Sequence, residues 1–511
     1  VVPITLRLDG ARVAGVPEID PTFTDLPLRA LTDAALHRAQ ELGAEHAAAR
    51  IGRVRHGSLR LRDAHADGAS DSVDIGLSVR VIHDGTWGFA ATAGLSIDAA
   101  ARVAEQAVAV AKISRALRLK PVELAAEPVY RDGVWVSAYE VNPFDVPEAD
   151  RVGRLAELSE RLLASDGVDH VDASAQYVQE NKFYADTAGT TTTQQRVRIE
   201  AEFTAVSIGS GGFETMRTIA PPVGRGWEFV TGAGWDFDAE IAELPQLLLE
   251  RTKAPSVDAG RYDLVIHPSN LWLTIHESIG HATELDRALG YEAAYAGTSF
   301  ATVDQLGTLK YGSEVMNVRG DRDAEHGLAT VGYDDEGVAG QSFDLIRDGR
   351  LVGYQVTREL AEQRSNGCAY ADSAGHIPMQ RMPNVSLQPA PGDGPSTEDL
   401  ISHVERGLYI VGDKSWSIDM QRYNFQFTAQ RFYQIENGQL AGQVRDAAYQ
   451  ATTTDFWSSM EAVGGDQTYL FCGTFNCGKG QPGQVAPAGH GAPSALFRNV
   501  NILNTQAEGK A

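Results

Sequence analysis

Cysteine is scarce in this 511-residue chain. Three occur, Cys368, Cys472 and Cys477, an odd set that offers no disulfide framework and suits a reducing compartment, so the cytoplasm is the expected location. Long apolar runs are missing too: none approaches the roughly 20 residues needed to cross a bilayer. The opening VVPITLRLDG has neither the basic start nor the apolar core of a signal peptide, although a first residue of Val rather than Met leaves open what precedes it. Basic residues are outnumbered, 44 Lys and Arg against 68 Asp and Glu, and the net charge of −24 argues against a nucleic-acid surface, which must displace phosphate counterions. The same charge gives no attraction to anionic lipid, so neither nucleic acid nor membrane is expected as a partner. What is plentiful is ordinary: 43% hydrophobic residues, and a length that makes two or three domains the natural division.

The pattern along the chain is α+β without strict βαβ alternation. Leu28–Arg50 has the composition of a helix. Val73, Ile75, Leu77, Val79 and Val81 alternate with polar residues as in a half-buried strand, and Asp84-Gly85 predicts a hairpin into Thr86–Ala90. Ser96 is a candidate N-cap for an Ala-rich helix to about Leu117, with Val103, Val108, Val110 and Ile113 as its apolar positions. A helix near Glu148–Ala164 and strands over Val171–Ile208 follow. Gly/Pro-rich stretches at Gly209–Gly212 and Pro221–Gly234 mark a junction. The expectation is two domains: residues 1–235 with an antiparallel sheet and helices, and residues 236–511, β-rich and carrying a metal-binding helix. Asp348-Gly349 and Asn437-Gly438 are hairpin signals in the second.

The chemistry lies in Tyr262–His281, which reads as strand, turn and helix. Tyr262–Ile266 is β-compatible, Pro268-Ser269 has turn and N-cap chemistry, and Leu271, Ile275 and Ile279 form an inward helix face. His276 and His281 are five residues apart. Zinc helices commonly use i and i+4, which lie within about 40° of one another; five residues leave roughly 140°, so a regular α-helix would aim the rings apart. A π-bulge restores a shared face, and Gly280 loosens the backbone where it would fall, so a bulged or prematurely ended helix is predicted. With 13 His and 68 acidic residues, His-acid-x-x-x-His arises about 0.04 times in a random chain of this composition, which favours a metal site over incidental helix histidines. Two imidazoles and one further ligand would leave a place for water, whose pKa zinc lowers to about 7, and Glu277 stands beside the ligand as a general base. For the third ligand, Glu284, Asp286, His326, His376, His403 and all three cysteines are chemically eligible.

His276-Glu-Ser-Ile-Gly-His281 with Gly297-Thr298-Ser299, Asp335-Glu-Gly-Val, Leu345–Tyr354, His376–Asn384, Ile435-Glu-Asn-Gly438 and Cys477-Gly-Lys-Gly-Gln-Pro482 resemble, in order, segments of the TldD/PmbA metalloprotease family. The resemblance spans the second half and, more loosely, the element order of the first. It implies a zinc protease with His276, His281 and Cys477 as ligands and Glu277 as base. Cys472 lies five residues from Cys477, and Asn476 stands where an apolar residue is expected. The resemblance further implies a subunit of the catalytic type, dimerising around a cavity with a TldE/PmbA-like sister chain or a second copy of itself. The N-terminal domain would supply peptide cavity and dimer contacts. Substrates would be unfolded polypeptides or small peptides held as an added strand. A metal-bearing but non-catalytic peptide-binding subunit, or a hydrolase of small amides, are the rival readings. The family's older association with DNA gyrase gains no support from the charge. Arg381 and Asn384 are polar motif residues without an assigned role.

Overall fold

A computed structural model describes residues 18–209, 212–480 and 482–508. Val1–Gly10, Ser210-Gly211 and Gln481, on which parts of the sequence reading fall, lie outside the described residues. The architecture is α+β, with a long-stranded sheet first and a β-rich second half.

After a short turn of helix, α1 (Pro21–Thr24), the segment expected to be one helix divides in two. Helix α2 (Leu28–Glu41) stops because Gly43 adopts φ +89° and the amides of Leu42, Gly43 and Ala44 fold back onto Arg38, Gln40 and Ala39. The Ala-rich remainder, expected to be helical through Arg50, instead enters strand β1 (His46–Arg62), where Ala47, Ala49 and Ile51 alternate inward; cross-strand pairing overrides helix propensity. β2 (His65–His83) and β3 (Thr86–Thr92) follow, with Asp84 and Gly85 both at positive φ in the predicted turn. Leu77, Val79 and Val81 are buried as expected, but Val73 is exposed, on the part of β2 that β3 does not reach. Helix α3 (Ile97–Ser114) is capped by Ser96. It buries Ala100, Val103, Ala104, Ala107, Val108 and Ala111, and leaves Val110 and Ile113 outside.

β4 (Gly133–Val136), helix α4 (Glu148–Leu163), β5 (His170–Asp186), β6 (Thr191–Gly209) and β7 (Gly212–Arg217) complete the sheet, in the order β3-β2-β1-β5-β6-β4 with β7 beside β6. Its pairs are antiparallel except β4 with β6. Gly209 pairs with Gly212, so β6 and β7 are antiparallel neighbours in one sheet and the chain does not pass between domains there. Two cores lie against the sheet, one under α2 and α3 and one under α4 and α5 (Phe237–Lys253), whose Phe237, Ile241, Leu244 and Leu248 are buried there.

In the second half, β8 (Gly260–Ile266) is followed by a small sheet of β9 (Val318–Asp321), β10 (Ser342–Arg347) and β11 (Arg350–Leu351), by the ribbon of β12 (Ala369–Tyr370) and β13 (Met379–Gln380), and by β14 (Asn384–Leu387), which joins β9. β15 (Arg406–Ile418), β16 (Asn424–Glu436), β17 (Gln439–Val444), β18 (Ala447–Thr452), β19 (Met460–Val463), β20 (Leu470–Lys479), β21 (Gln484–Ala492) and β22 (Ala495–Asn504) follow. The strands β15-β8-β22-β18-β16 pair in sequence, and β15 also pairs with β16, closing the five into a ring. Only β8–β15 is parallel within it. The largest core fills this half, with Leu264, Ile266, Leu408, Ile410, Phe427, Tyr449 and Phe497 among its members.

Candidate metal centre

The end of β8 delivers the chain into a buried helix. His267 is the N-cap, one residue before the expected Pro268-Ser269; its Nδ1 accepts from the Ser269 amide at 3.2 Å, and Pro268 occupies the first turn, where its missing N–H is harmless. Helix α6 (Pro268–Ile275) is buried throughout, with Leu271 and Ile275 in the core together with Ile279 beyond it. Asn270 and Thr274 bond the Tyr449 hydroxyl at 2.8 and 2.6 Å, fixing the helix on the strand ring.

His276–Gly280 forms a π-turn, closed by the His281 amide donating to the His276 carbonyl. The five-residue spacing therefore brings both rings to one side, with centroids 4.7 Å apart. Side chains satisfy the carbonyls of this turn: the Tyr311 hydroxyl donates to Ser278 O, Thr283 Oγ1 to Ile279 O at 2.8 Å, and Gln355 Nε2 to Gly280 O at 2.6 Å. A Cβ on Gly280 would stand 2.5 Å from Met382 Sδ, so the end of that side chain would have to move to admit one.

Cys477 reaches this pair from β20. Its Sγ lies 3.5 Å from His281 Nε2, and the ligand atoms of His276, His281 and Cys477 all lie within 4.8 Å of one another. The ladder between β20 and β21 shifts register between Thr474 and Cys477, a bulge that re-aims the later residue. Arg381, left without a role by its sequence, donates to the Cys477 carbonyl and to Gln484 O and so holds both strands from behind. Asn384 ties Ala329, Asp321 and Thr330 together and is structural. Burial pushes both thiols up; for Cys472 it prevails, whereas His281 and Arg381 bring Cys477 below its usual value. Burial lowers His276 and His281, which favours the neutral imidazole a metal requires.

Behind each ring stands a fixed partner. Nδ1–H of His281 donates to Glu284 Oε2 at 2.8 Å, and Glu284 Oε1 accepts from Lys479 Nζ at 3.0 Å. Burial would raise Glu284, but Lys479 and His281 hold it well below the usual carboxylate range. Lys479 also donates to Asp286 and to the Gln380 carbonyl. His276 Nδ1 lies 2.7 Å from His490 Nε2, and His490 Nδ1–H donates to the Val385 carbonyl at 2.9 Å. Glu277 is buried and ion-paired with Arg422, which stands at φ +65° in a loop that Asp419 ties down through the amides of Gln421, Tyr423 and Asn424.

Of the other residues eligible as third ligand, Glu284 and Asp286 are engaged as described. His376 bonds Asp372 at 2.6 Å, His326 faces the Gly224 carbonyl, and His403 bonds the backbone of its own helix. None of these joins the group. His490 and Arg422 carried no signal in the sequence; Lys479 stood in the Cys-Gly-Lys motif, and its place two residues after Cys477 puts both side chains on one face of β20. Two buried imidazoles and a thiol held below its usual pKa form a donor set that fits zinc.

The model of the PmbA/TldA metallopeptidase C-terminal domain matches residues 259–504, and that of domain 1 of the same family matches residues 47–111. A metalloprotease of Methanothermobacter thermautotrophicus is 27% identical over 90% of this chain and 96% of its own length. A zinc metalloprotease TldD homolog of Saccharolobus solfataricus is 22% identical over 91% and 98%. Among solved structures, a Thermotoga maritima protein has a TM-score of 0.74 at 16% identity over 93% of this chain and 99% of that one. TldE from Thermococcus kodakarensis has a TM-score of 0.69 at 16% identity over 92% and 99%. The chain belongs to the PmbA/TldD metallopeptidase family.

Proposed function

We propose that this chain is a zinc-dependent metalloprotease that hydrolyses peptide bonds of unfolded polypeptides or small peptides, with His276, His281 and Cys477 as metal ligands and Glu277 as general base. The observation that carries this reading is the convergence of three donor atoms at a buried π-turn, with Cys477 coming from 196 residues beyond His281. Zinc held there supplies the Lewis acidity that polarises a carbonyl and acidifies water. Glu277, next in sequence to His276, takes the proton from the attacking water onto its carboxylate and passes it to the leaving amine. Arg422 fixes the direction of that carboxylate through their ion pair.

Among the described residues three protein donors converge, and three rather than four favour catalysis over a structural metal, the second reading. The division into residues 1–235 and 236–511 is part of the same proposal, with α5 of the second unit packed back on the first unit's core and the first unit contributing peptide cavity and dimer contacts. A TldE/PmbA-like sister chain, or a second copy of this one, would be the partner. Three buried free cysteines suit a cytoplasmic setting.

The test is zinc per chain by elemental mass spectrometry, followed by hydrolysis of unfolded peptides. We expect about one equivalent in the wild type and in Cys472→Ser, and a large loss in Cys477→Ser. Glu277→Gln should keep zinc and lose roughly 10²–10⁴-fold in rate. Folded wild type that takes up no zinc would sink the reading, and full activity in Glu277→Gln would remove its general base.

A further inference from the structure

His490 is fully buried, lies beyond the Cys477 motif, and has no part in the reaction proposed above. Its surroundings define its proton positions. Nδ1 faces the Val385 carbonyl at 2.9 Å, and a carbonyl can only accept, so Nδ1 carries hydrogen. The ring stacks on Trp272, and its hydrogen-bond partners are that carbonyl and His276, neither of them a carboxylate; without an anion to pair with, a buried imidazole is neutral. Neutral His490 with hydrogen on Nδ1 presents a bare lone pair at Nε2, which stands 2.7 Å from His276 Nδ1. His276 must then donate from Nδ1, which leaves its Nε2 bare.

We infer that His490 is a positioning residue for the metal centre: by accepting the Nδ1–H of His276 it fixes both the tautomer and the ring direction in which His276 Nε2 is the free donor atom. The inference rests on the metal-site reading above and adds a residue to it. The two ligand rings are thus held by unlike devices. His281 leans on a carboxylate anchored by Lys479, and His276 leans on a second imidazole anchored by the backbone of β14. Partners behind ligating histidines orient the ring and set its donor strength.

The experiment measures zinc dissociation constants by chelator competition for wild type, His490→Phe and His490→Gln, with urea midpoints of the metal-free proteins as a control for folding. Phe keeps the ring volume and the stacking on Trp272 but removes the acceptor; Gln keeps an acceptor at similar reach. We expect His490→Phe to bind about 10–100-fold more weakly and His490→Gln to stay within about threefold of wild type. Wild-type affinity in a folded His490→Phe overturns the inference while the metal site stands. Absence of zinc binding in the wild type removes the site and the inference together. X-ray absorption showing three imidazoles and one thiolate on the metal also overturns it, because His490 would then be a ligand. Should His490→Phe fail to fold, nitrogen-15 spectra of the histidine rings in metal-free wild type decide the matter. Hydrogen on Nδ1 of His276 supports the inference, and hydrogen on Nε2 refutes it.

Discussion

Lys479 has almost no solvent exposure, and three acceptors surround its ammonium: Glu284, Asp286 and the Gln380 carbonyl. A buried cation in such company is stable only as part of the set, since removing it leaves two carboxylates facing each other out of water. Burial and the neighbouring Glu284 already push Asp286 up, with Lys479 opposing them. Lys479→Met is therefore expected to cost about 3–5 kcal/mol, read from urea unfolding, and adding Glu284→Gln should return part of that loss. A loss below roughly 1 kcal/mol would mean that the cluster is wetter than its geometry states. At this scale the sequence was partly legible. The two histidines stood close together, and Cys477 was reached through the family motif, while Glu284 was visible only as one of several eligible groups. His490 and Arg422 were invisible, because they meet His276 and Glu277 across 214 and 145 residues of chain, and no local pattern reports such meetings.

The π-turn shows the opposite case, an element whose irregularity is written locally. Five residues between histidines that share a face, with glycine before the second, are incompatible with an even α-helix. The turn persists because Tyr311, Thr283 and Gln355 take up its carbonyls. Gly280→Ala gains helix propensity but drives a methyl against buried Met382, and overpacking of this kind costs about 1–3 kcal/mol. We expect net destabilisation in urea, and a smaller penalty for the same substitution in a Met382→Ala background; equal penalties in both would disprove the contact. Elements with period-2 alternation or turn chemistry, such as Leu77–Val81 and Asp84-Gly85, were equally legible. The helix expected through Arg50 was not, because alanine is silent about the two long strands that flank β1 and impose the extended form.

Across the whole molecule, the halves meet through buried charge. Lys182 on β5 and Arg50 on β1 reach Asp335, Arg80 on β2 reaches Glu336, and Tyr370 from the second half donates to Glu180 on β5. Burial alone would raise Glu180; Arg196, Lys182 and Arg198 instead hold it well below 4.5. Its contribution to stability is complete above about pH 4.5 and is lost as pH falls through the folded value. Burial, with Glu336, raises Asp334 to about 7, so the folded chain keeps a proton that the unfolded chain releases near 3.8. Stability from that group declines as pH rises from about 3.8 to about 7. The buried histidines act the other way, because burial lowers His46 and His267 to about 4 and also lowers His276, His281 and His490. Urea midpoints are thus expected to climb from pH 3 toward about 6.5 with Asp334 opposing the upper part, and Glu180→Gln should flatten the limb below about pH 4.5; an unchanged acid limb in that variant would refute the assignment. The Asp335-Glu-Gly-Val motif was noticed in the sequence, but its counter-charges lie on strands of the other half, where no spacing rule finds them. The place of β8 has a consequence for biosynthesis. It sits between β15 and β22, one made about 140 residues later and the other about 230, and the thiol donor arrives between them. A nascent or truncated chain can hold both histidines yet lack the thiol, so the three donor atoms cannot converge until β20 has been made.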